Sequence, residues 1–382
     1  MKRLIAPLAV MALLAAPAAQ AFDTIATAAY VVDVGSGTVL MNKDGDTPMP
    51  PASMSKLMTI DLLFQALKDG RVTLDTKFSV SPEAQAMGGS TMFLNTRDHP
   101  TVRQLIQGII VLSGNDACVT VAEGLAGTQD AFVAQMNAEA KKLGLTHSHY
   151  ANASGWPNPG QLMSMHDLAT LAMHLIKTYP EYYHFFSEQT FAYDGRAPAN
   201  ENNRDPLLGV VPGADGMKTG HTEASGYGLV GTAKQAGRRV LVVMNGLPSS
   251  AARASEGQKL INWGLRQFIE KTAVTKGTVV AEAPVWLGAK SKVALVPEGD
   301  ARILLPVTAG NKLDAKVVYT GPLKAPLKAG QKVGELVIDR PELAPARIPL
   351  VTATAVPRGG FLGRVMTAAR VLYRDFKGAQ GS

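Results

Sequence analysis

The chain reads as an α/β domain, an antiparallel sheet flanked by helices, followed by a small all-β domain and a C-terminal amphipathic helix. Three observations carry this. Strand-like segments stand early and late in residues 28–270 with helical periodicity between them, so one sheet closed by both ends of the segment is expected. After about Thr272 the helical period stops and short β-rich runs broken by Pro and Gly replace it. From Phe361 the pattern turns helical again, with one apolar side.

The first segment is a leader. Met1-Lys2-Arg3 is a positive start, Leu4 to Ala16 an apolar run, and Ala19-Gln20-Ala21 a small-x-small cleavage site. The run is too short and Ala-rich for a strong spanning helix, so residues 1–21 are expected to be removed as a signal peptide. An uncleaved anchor is the alternative. Within residues 22–271, Tyr30–Val34 and Thr38–Met41 flank Gly35-Ser36-Gly37 and predict a hairpin. Leu57, Ile60, Phe64 and Leu67 fall at helical spacing and predict a helix from about Ser53 to Lys68, stopped by Gly70. Helices are predicted at Val102–Leu112, Asp116–Leu125, Gln129–Leu143, Asp167–Lys177 and Ala254–Phe268, and strands at Gly226–Ala233 and Arg239–Met244. In the second domain, residues 272–357, the runs are Thr278–Ala281, Ala294–Val296, Ile303–Val307, Lys316–Val318 and Lys332–Ile338.

In the tail, residues 358–382, Phe361, Leu362, Val365, Met366, Ala369, Leu372, Tyr373 and Phe376 share an arc of about 140° at ~100° per residue. Arg370, Arg374 and Lys377 flank or oppose it. Such a helix fits in-plane binding to an anionic membrane surface. A helix docked on its own domain and a dimer contact are the alternatives.

Composition narrows the classes. Of 382 residues, 46% are hydrophobic and 18% charged, which suits a globular chain of two or three domains. The net charge of +7 includes Lys2 and Arg3 of the leader, and no basic stripe with interleaved aromatics is present, so nucleic acid is not an expected partner. The single cysteine, Cys118, forbids an intramolecular disulfide and sits in an apolar stretch, which reads as a small buried hydrophobe rather than a nucleophile. His147, His149, His166, His174 and His184 have neither a His-Glu-x-x-His frame nor cysteine partners, so no metal and no cofactor are expected.

The chemistry lies in three short motifs. Ser53-Met54-Ser55-Lys56 puts a hydroxyl and an amine on one helical face, and a neutral lysine can take the proton of a serine nucleophile. A helix N-terminus and a second cation nearby lower such a lysine's pKa. Ser113-Gly114-Asn115 lies on a tight turn between apolar helices. Lys218-Thr219-Gly220 opens a strand; its ammonium can hold a substrate carboxylate and press down the pKa of Lys56, and its glycine lets a substrate backbone lie along the strand. Each motif alone is weak. Their order and placement at element boundaries make the set specific.

With these motifs, and with the surrounding Pro51-Ala52-Ser53-Met54-Ser55-Lys56-Leu57-Met58-Thr59, Ser113-Gly114-Asn115-Asp116-Ala117-Cys118 and Asp215-Gly216-Met217-Lys218-Thr219-Gly220-His221-Thr222, the chain resembles the low-molecular-mass penicillin-binding proteins that act as serine-type D-alanyl-D-alanine carboxypeptidases. The resemblance implies a catalytic domain of the penicillin-binding protein/β-lactamase type. It implies that Ser53 is acylated, Lys56 is its base and Ser113 relays a proton to the leaving D-alanine. Asn115, Lys218, Thr219, Gly220, His221 and Arg253 would bind substrate, with the backbone N–H groups of Ser53 and His221 as oxyanion hole. The implied partners are a peptidoglycan stem peptide ending in D-Ala-D-Ala and β-lactams, met in the periplasm at the outer face of the cytoplasmic membrane.

A DD-endopeptidase has the same chemistry. A class A β-lactamase would need a loop glutamate in a Glu-x-x-Leu-Asn setting, and Glu181, Glu188 and Glu201 do not provide it. A degenerate wall-binding scaffold would lack Ser53 or Lys56, and both are present.

Overall fold

A computed structural model of the chain describes residues 22–360 except positions 197 and 311, so the leader and the amphipathic tail lie outside the described residues. The early hairpin forms: β1 (Ala28–Asp33) and β2 (Thr38–Lys43) pair antiparallel, and Asp33 Oδ1 accepts the Ser36 backbone N–H at 2.8 Å to close the turn. Six helices follow: α1 (Lys56–Lys68), α2 (Pro82–Gln85), α3 (Val102–Gln107), α4 (Asn115–Ala126), α5 (Gln129–Leu143) and α6 (Met165–Thr178). Then come β3 (Ala214–Thr222), β4 (Gly226–Gln235), β5 (Arg238–Leu247) and α7 (Ser250–Arg266).

Both ends of this domain share one antiparallel sheet, ordered β2-β1-β5-β4-β3, with Val31 opposite Val242. Side chains alternate across a strand. Tyr30 and Val32 therefore join the core shared with Leu57, Phe64, Leu105 and Leu171, while Ala29 and Val31 join Leu260 and Ile261 of α7 on the other face. Covered on both faces, β1 is buried along its whole length and reads as an apolar run.

Three helices differ from the expected ranges by three or more residues at one end. Ser53 stands in a 3-10 turn, Ala52–Ser55, ahead of α1. The helix expected to run to Leu112 ends at Gln107, and Gly108–Leu112 widen into a π turn. There a Cβ on Gly108 would lie 2.1 Å from Met92 Sδ, so the glycine lets Met92 pack against the helix. Lastly, α7 begins at Ser250, with Ser249 Oγ accepting the Ala252 N–H at 3.0 Å, and Phe268 is in a strand rather than in the helix. Arg238 explains that stop. Its guanidinium donates to the carbonyls of Gly264, Leu265 and Phe268 at 2.7–3.1 Å and pairs with Asp33, so the helix's free carbonyls are satisfied where the chain turns away.

The remainder is all β. β6 (Phe268–Val274) pairs with β9 (Ala301–Pro306). β7 (Ala281–Trp286), β8 (Lys292–Pro297), β10 (Ala315–Tyr319), β11 (Leu323–Lys324), β12 (Lys332–Arg340) and β13 (Leu343–Thr352) form a second sheet, ordered β10-β12-β13-β8-β7-β11. The run expected at Thr278 starts as strand only at Ala281. β13 escaped the sequence reading because Pro345 and Pro349 interrupt it. Both lie before the three residues that pair with β8, on a stretch with a neighbour on one side only, where a missing N–H is tolerated. Arg340 ties the β domain to the hairpin, donating to Thr38 Oγ1 at 3.3 Å and to the Leu304 carbonyl at 3.2 Å.

Candidate active site

The 3-10 turn places Ser53 just ahead of α1, so the Lys56 side chain reaches back to it. Lys56 Nζ donates to Ser53 Oγ at 2.8 Å, to Asn115 Oδ1 at 2.7 Å and to the Ser154 carbonyl at 2.5 Å. Lys56 is fully buried, and burial draws its pKa from 10.5 down to about 8. The Arg204 guanidinium pushes the same way, against the opposing influence of Cys118 and Asp116. An amine of that acidity is partly neutral at neutral pH and can accept the proton of the hydroxyl beside it.

The π turn ends on Ser113, which has φ +62, a left-handed conformation that turns the chain sharply into α4. The hydroxyl of Ser113 has no hydrogen-bond partner among the described residues. Asn115 is held from both sides: its backbone N–H donates to the Ser90 carbonyl and its Nδ2 to the Gly88 carbonyl, each at 2.8 Å. That orientation leaves Oδ1 facing Lys56.

The third motif is in β3, the sheet edge that packs on the Ser53 turn. Lys218 is buried and donates to the Thr219 carbonyl at 3.1 Å. Burial first, then Arg204 and Lys56, push its ammonium well below the usual lysine range. Lys218 is the cation expected to lower the pKa of Lys56; Arg204, which sequence reasoning did not name, disfavours the charge on both lysines, and the two lysines disfavour each other's. His221 stacks on Tyr227 with centroids 3.9 Å apart, and Arg253 of α7 stands over the same Tyr227 ring at 5.6 Å.

A cleft of about 580 Å³ gathers these groups: Ser53, Ser113, Asn115, Thr219, Gly220, His221 and Arg253 all line it, with Arg204, Trp156 and Tyr227. A larger hollow of about 740 Å³, at Phe22, Trp263 and Phe268, contains none of the motif residues.

The profile of peptidase S11, D-alanyl-D-alanine carboxypeptidase, matches residues 15–247, and that of penicillin-binding protein 5, C-terminal domain, matches residues 268–358. The chain is 37% identical to the D-alanyl-D-alanine carboxypeptidase DacD of Salmonella typhimurium, over 92% of this chain and 90% of that one. The chain belongs to the D-alanyl-D-alanine carboxypeptidase family. Among solved structures it is similar to penicillin binding protein 5 from Haemophilus influenzae, at TM-score 0.77 and 31% identity, over 88% of this chain and 98% of that one. It is also similar to penicillin-binding protein D2 from Listeria monocytogenes in its ampicillin-bound form, at TM-score 0.57 and 32% identity, over 63% and 98%.

In this carboxypeptidase three further features complete the site. Asn152 Oδ1 accepts the backbone N–H groups of Ser154, Gly155 and Trp156 at 2.8–3.1 Å, folding a loop that offers the Ser154 carbonyl to Lys56 and Trp156 to the cleft. The loop is pinned to α1 by Thr59 Oγ1, which donates to the Ala153 carbonyl at 2.6 Å. Its local signal is the asparagine three residues before a glycine. Asp116, buried at the start of α4, accepts the N–H groups of Met92, Leu94 and Ala117 at 2.9–3.0 Å and so fixes the strip that holds Asn115. Arg204 donates to Ser90 Oγ at 3.1 Å and to the Leu112 carbonyl at 2.8 Å; nothing local in Asn203-Arg204-Asp205 marks it.

Gly220 lines the cleft and has a packing role as well. A Cβ on Gly220 would meet the Pro51 carbonyl at 2.9 Å and Met54 Cγ at 3.1 Å. The glycine therefore serves the close packing of β3 on the Ser53 turn, beyond any approach of substrate to the strand. Cys118 is fully buried and its thiol is pushed up to about 11 by burial, which suits a core residue and not a thiolate. Glu181, Glu188 and Glu201 do not line the cleft.

Proposed function

We propose that this carboxypeptidase removes the terminal D-alanine of peptidoglycan stem peptides through an acyl-enzyme on Ser53. The observation that carries the reading is the buried Lys56 amine, 2.8 Å from Ser53 Oγ and with a pKa near 8. Lys56 takes the hydroxyl proton as Ser53 attacks the carbonyl of the D-Ala–D-Ala bond. The backbone N–H groups of Ser53 and His221 receive the oxyanion. Ser113 passes a proton to the departing D-alanine nitrogen, and Asn115 holds the peptide. The substrate's terminal carboxylate lies toward Lys218, Thr219 and Arg253. Its negative charge favours the protonated form of Lys218, which burial disfavours in the free site. Water then hydrolyses the ester with Lys56 as base.

β-Lactams acylate the same serine; the ampicillin-bound relative supports this. Residues 1–21 direct export and are removed, residues 22–271 carry catalysis, and residues 272–357 form the β domain. The tail, residues 358–382, holds the protein peripherally on the outer face of the cytoplasmic membrane, in the periplasm. Among the described residues no helix is long and apolar enough to cross a membrane.

The test is intact-protein mass spectrometry after brief exposure to a labelled penicillin, with peptide mapping and a D-alanine release assay. One adduct, on Ser53, with D-alanine released from a pentapeptide, is the expected result. Penicillin consumed without an adduct would return the β-lactamase reading. Release only from crosslinked muropeptides would make the enzyme an endopeptidase.

A further inference from the structure

Behind the catalytic helix lies a second polar cluster that the mechanism does not use. Asp61 on α1, Glu139 on α5 and His174 on α6 each place one ligand-capable atom within 4.8 Å of the others. Asp61 is fully buried, and apart from His174 Nε2 at 3.3 Å from Oδ1 its carboxylate oxygens have no hydrogen-bonding partner among the described residues. A buried carboxylate in that state is strongly disfavoured unless a cation meets it or it takes up a proton.

The imidazole is arranged to help supply that cation site. His174 Nε2 stands 3.3 Å from Asp61 Oδ1 and has no other partner among the described residues. The other ring nitrogen, Nδ1, shares a hydrogen bond with Thr178 Oγ1 at 3.2 Å. With Nδ1 as the donor, Nε2 presents a lone pair to the carboxylate, the arrangement of a metal-binding histidine oriented by its far nitrogen. Tyr150, fully buried, also leaves its hydroxyl unpartnered, and Asp61 is the charge that bears most on it. A proton shared between His174 and Asp61 would leave the second Asp61 oxygen unexplained. Lys142 donates to both Glu139 oxygens at 3.1 Å, but its side chain is 64% exposed and the hold is correspondingly weak.

We propose that Asp61, Glu139 and His174 form a structural zinc site that ties together α1, α5 and α6. Two carboxylates and a neutral imidazole balance a divalent charge. Magnesium and calcium favour six or more oxygen ligands, whereas zinc accepts a small mixed nitrogen and oxygen set at about 2.0–2.2 Å, completed by water. Bonds of that length bring neighbouring ligand atoms to about 3.4 Å of one another, so the cluster contracts on binding. The site braces α1 five residues beyond Lys56.

The test is isothermal titration of Zn²⁺ into the chelator-treated full chain, alongside Asp61→Asn and His174→Gln, with thermal melts of each. His174 is partly exposed, so its variant keeps the test meaningful if Asp61→Asn folds poorly. One equivalent of zinc is expected to bind and to raise Tm reversibly. Each variant should lose more than the roughly 10–100-fold in affinity that removing a merely orienting group costs. Penicillin acylation should be retained in both folded variants. No zinc binding by the parent chain, or undiminished binding in either folded variant, overturns the site.

Discussion

Lys56 Nζ lies 2.8 Å from Ser53 Oγ, and the distance is set from outside the pair. The Asn115 side chain and the Ser154 carbonyl, each from a different segment, take the other two directions around the amine. The lysine is therefore aimed at the serine by its neighbours as well as by helical spacing.

Lys56→Ala is expected to slow acylation by penicillin on the order of a hundredfold or more, the worth of a lost general base. Lys56→Arg should be nearly as slow, because a guanidinium stays protonated. Stopped-flow acylation checks both, and a near-parental rate in either would remove the lysine-base mechanism.

The pH dependence follows from the same amine. Acylation efficiency should rise with pH through a midpoint near 8, as the Lys56 ammonium loses its proton. Arg204 lowers that pKa, so Arg204→Gln removes a repelling charge, raises the pKa and moves the midpoint to higher pH. A pH–rate profile of the two proteins reads the sign directly; a shift to lower pH would contradict the assignment.

Gly155 is irreplaceable on two counts. Its φ is +76, and a Cβ there would lie 2.0 Å from the Ala52 carbonyl oxygen, beneath the Ser53 turn. Gly155→Ala should cost roughly 1–3 kcal/mol of stability and slow acylation together, since it displaces the loop that supplies the Ser154 carbonyl. Urea unfolding and acylation rates on one preparation test the coupling.

Two ion pairs should differ sharply in worth. Arg238 holds the buried Asp33 and caps the end of α7, so Arg238→Ala should cost about 3 kcal/mol or more. Arg347 and Glu335 pair at 3.1 Å with side chains 64% and 33% exposed, and Arg347→Ala should cost less than about 1 kcal/mol. Chemical denaturation of both variants distinguishes them.

Truncation after Arg358 should release the protein from membranes with soluble D-alanine release unchanged. Fractionation of cells expressing both forms is the measurement, and a truncated protein that still pellets with membranes would show that the anchor lies elsewhere.

Much of the site was legible because its signals are local. Ser53 and Lys56 share a helical face by spacing alone, Ser113 and Asn115 mark a turn, and Lys218-Thr219-Gly220 follows turn residues into a strand. The period of the apolar residues also specified the sheet-and-helix domain and the β-rich region after it. What escaped depends on segments distant in the chain. Arg204, the approach of the Ser154 carbonyl to Lys56 and the Asp61–His174 contact become visible only when helices and loops are packed. The strand at Leu343–Thr352, broken by prolines, was readable only from its neighbours. The acidity of Lys56 belongs to the same group. Burial, its largest cause, is a property of everything packed around the amine, so residue types in sequence could name the candidate base while the tertiary structure alone set its acidity.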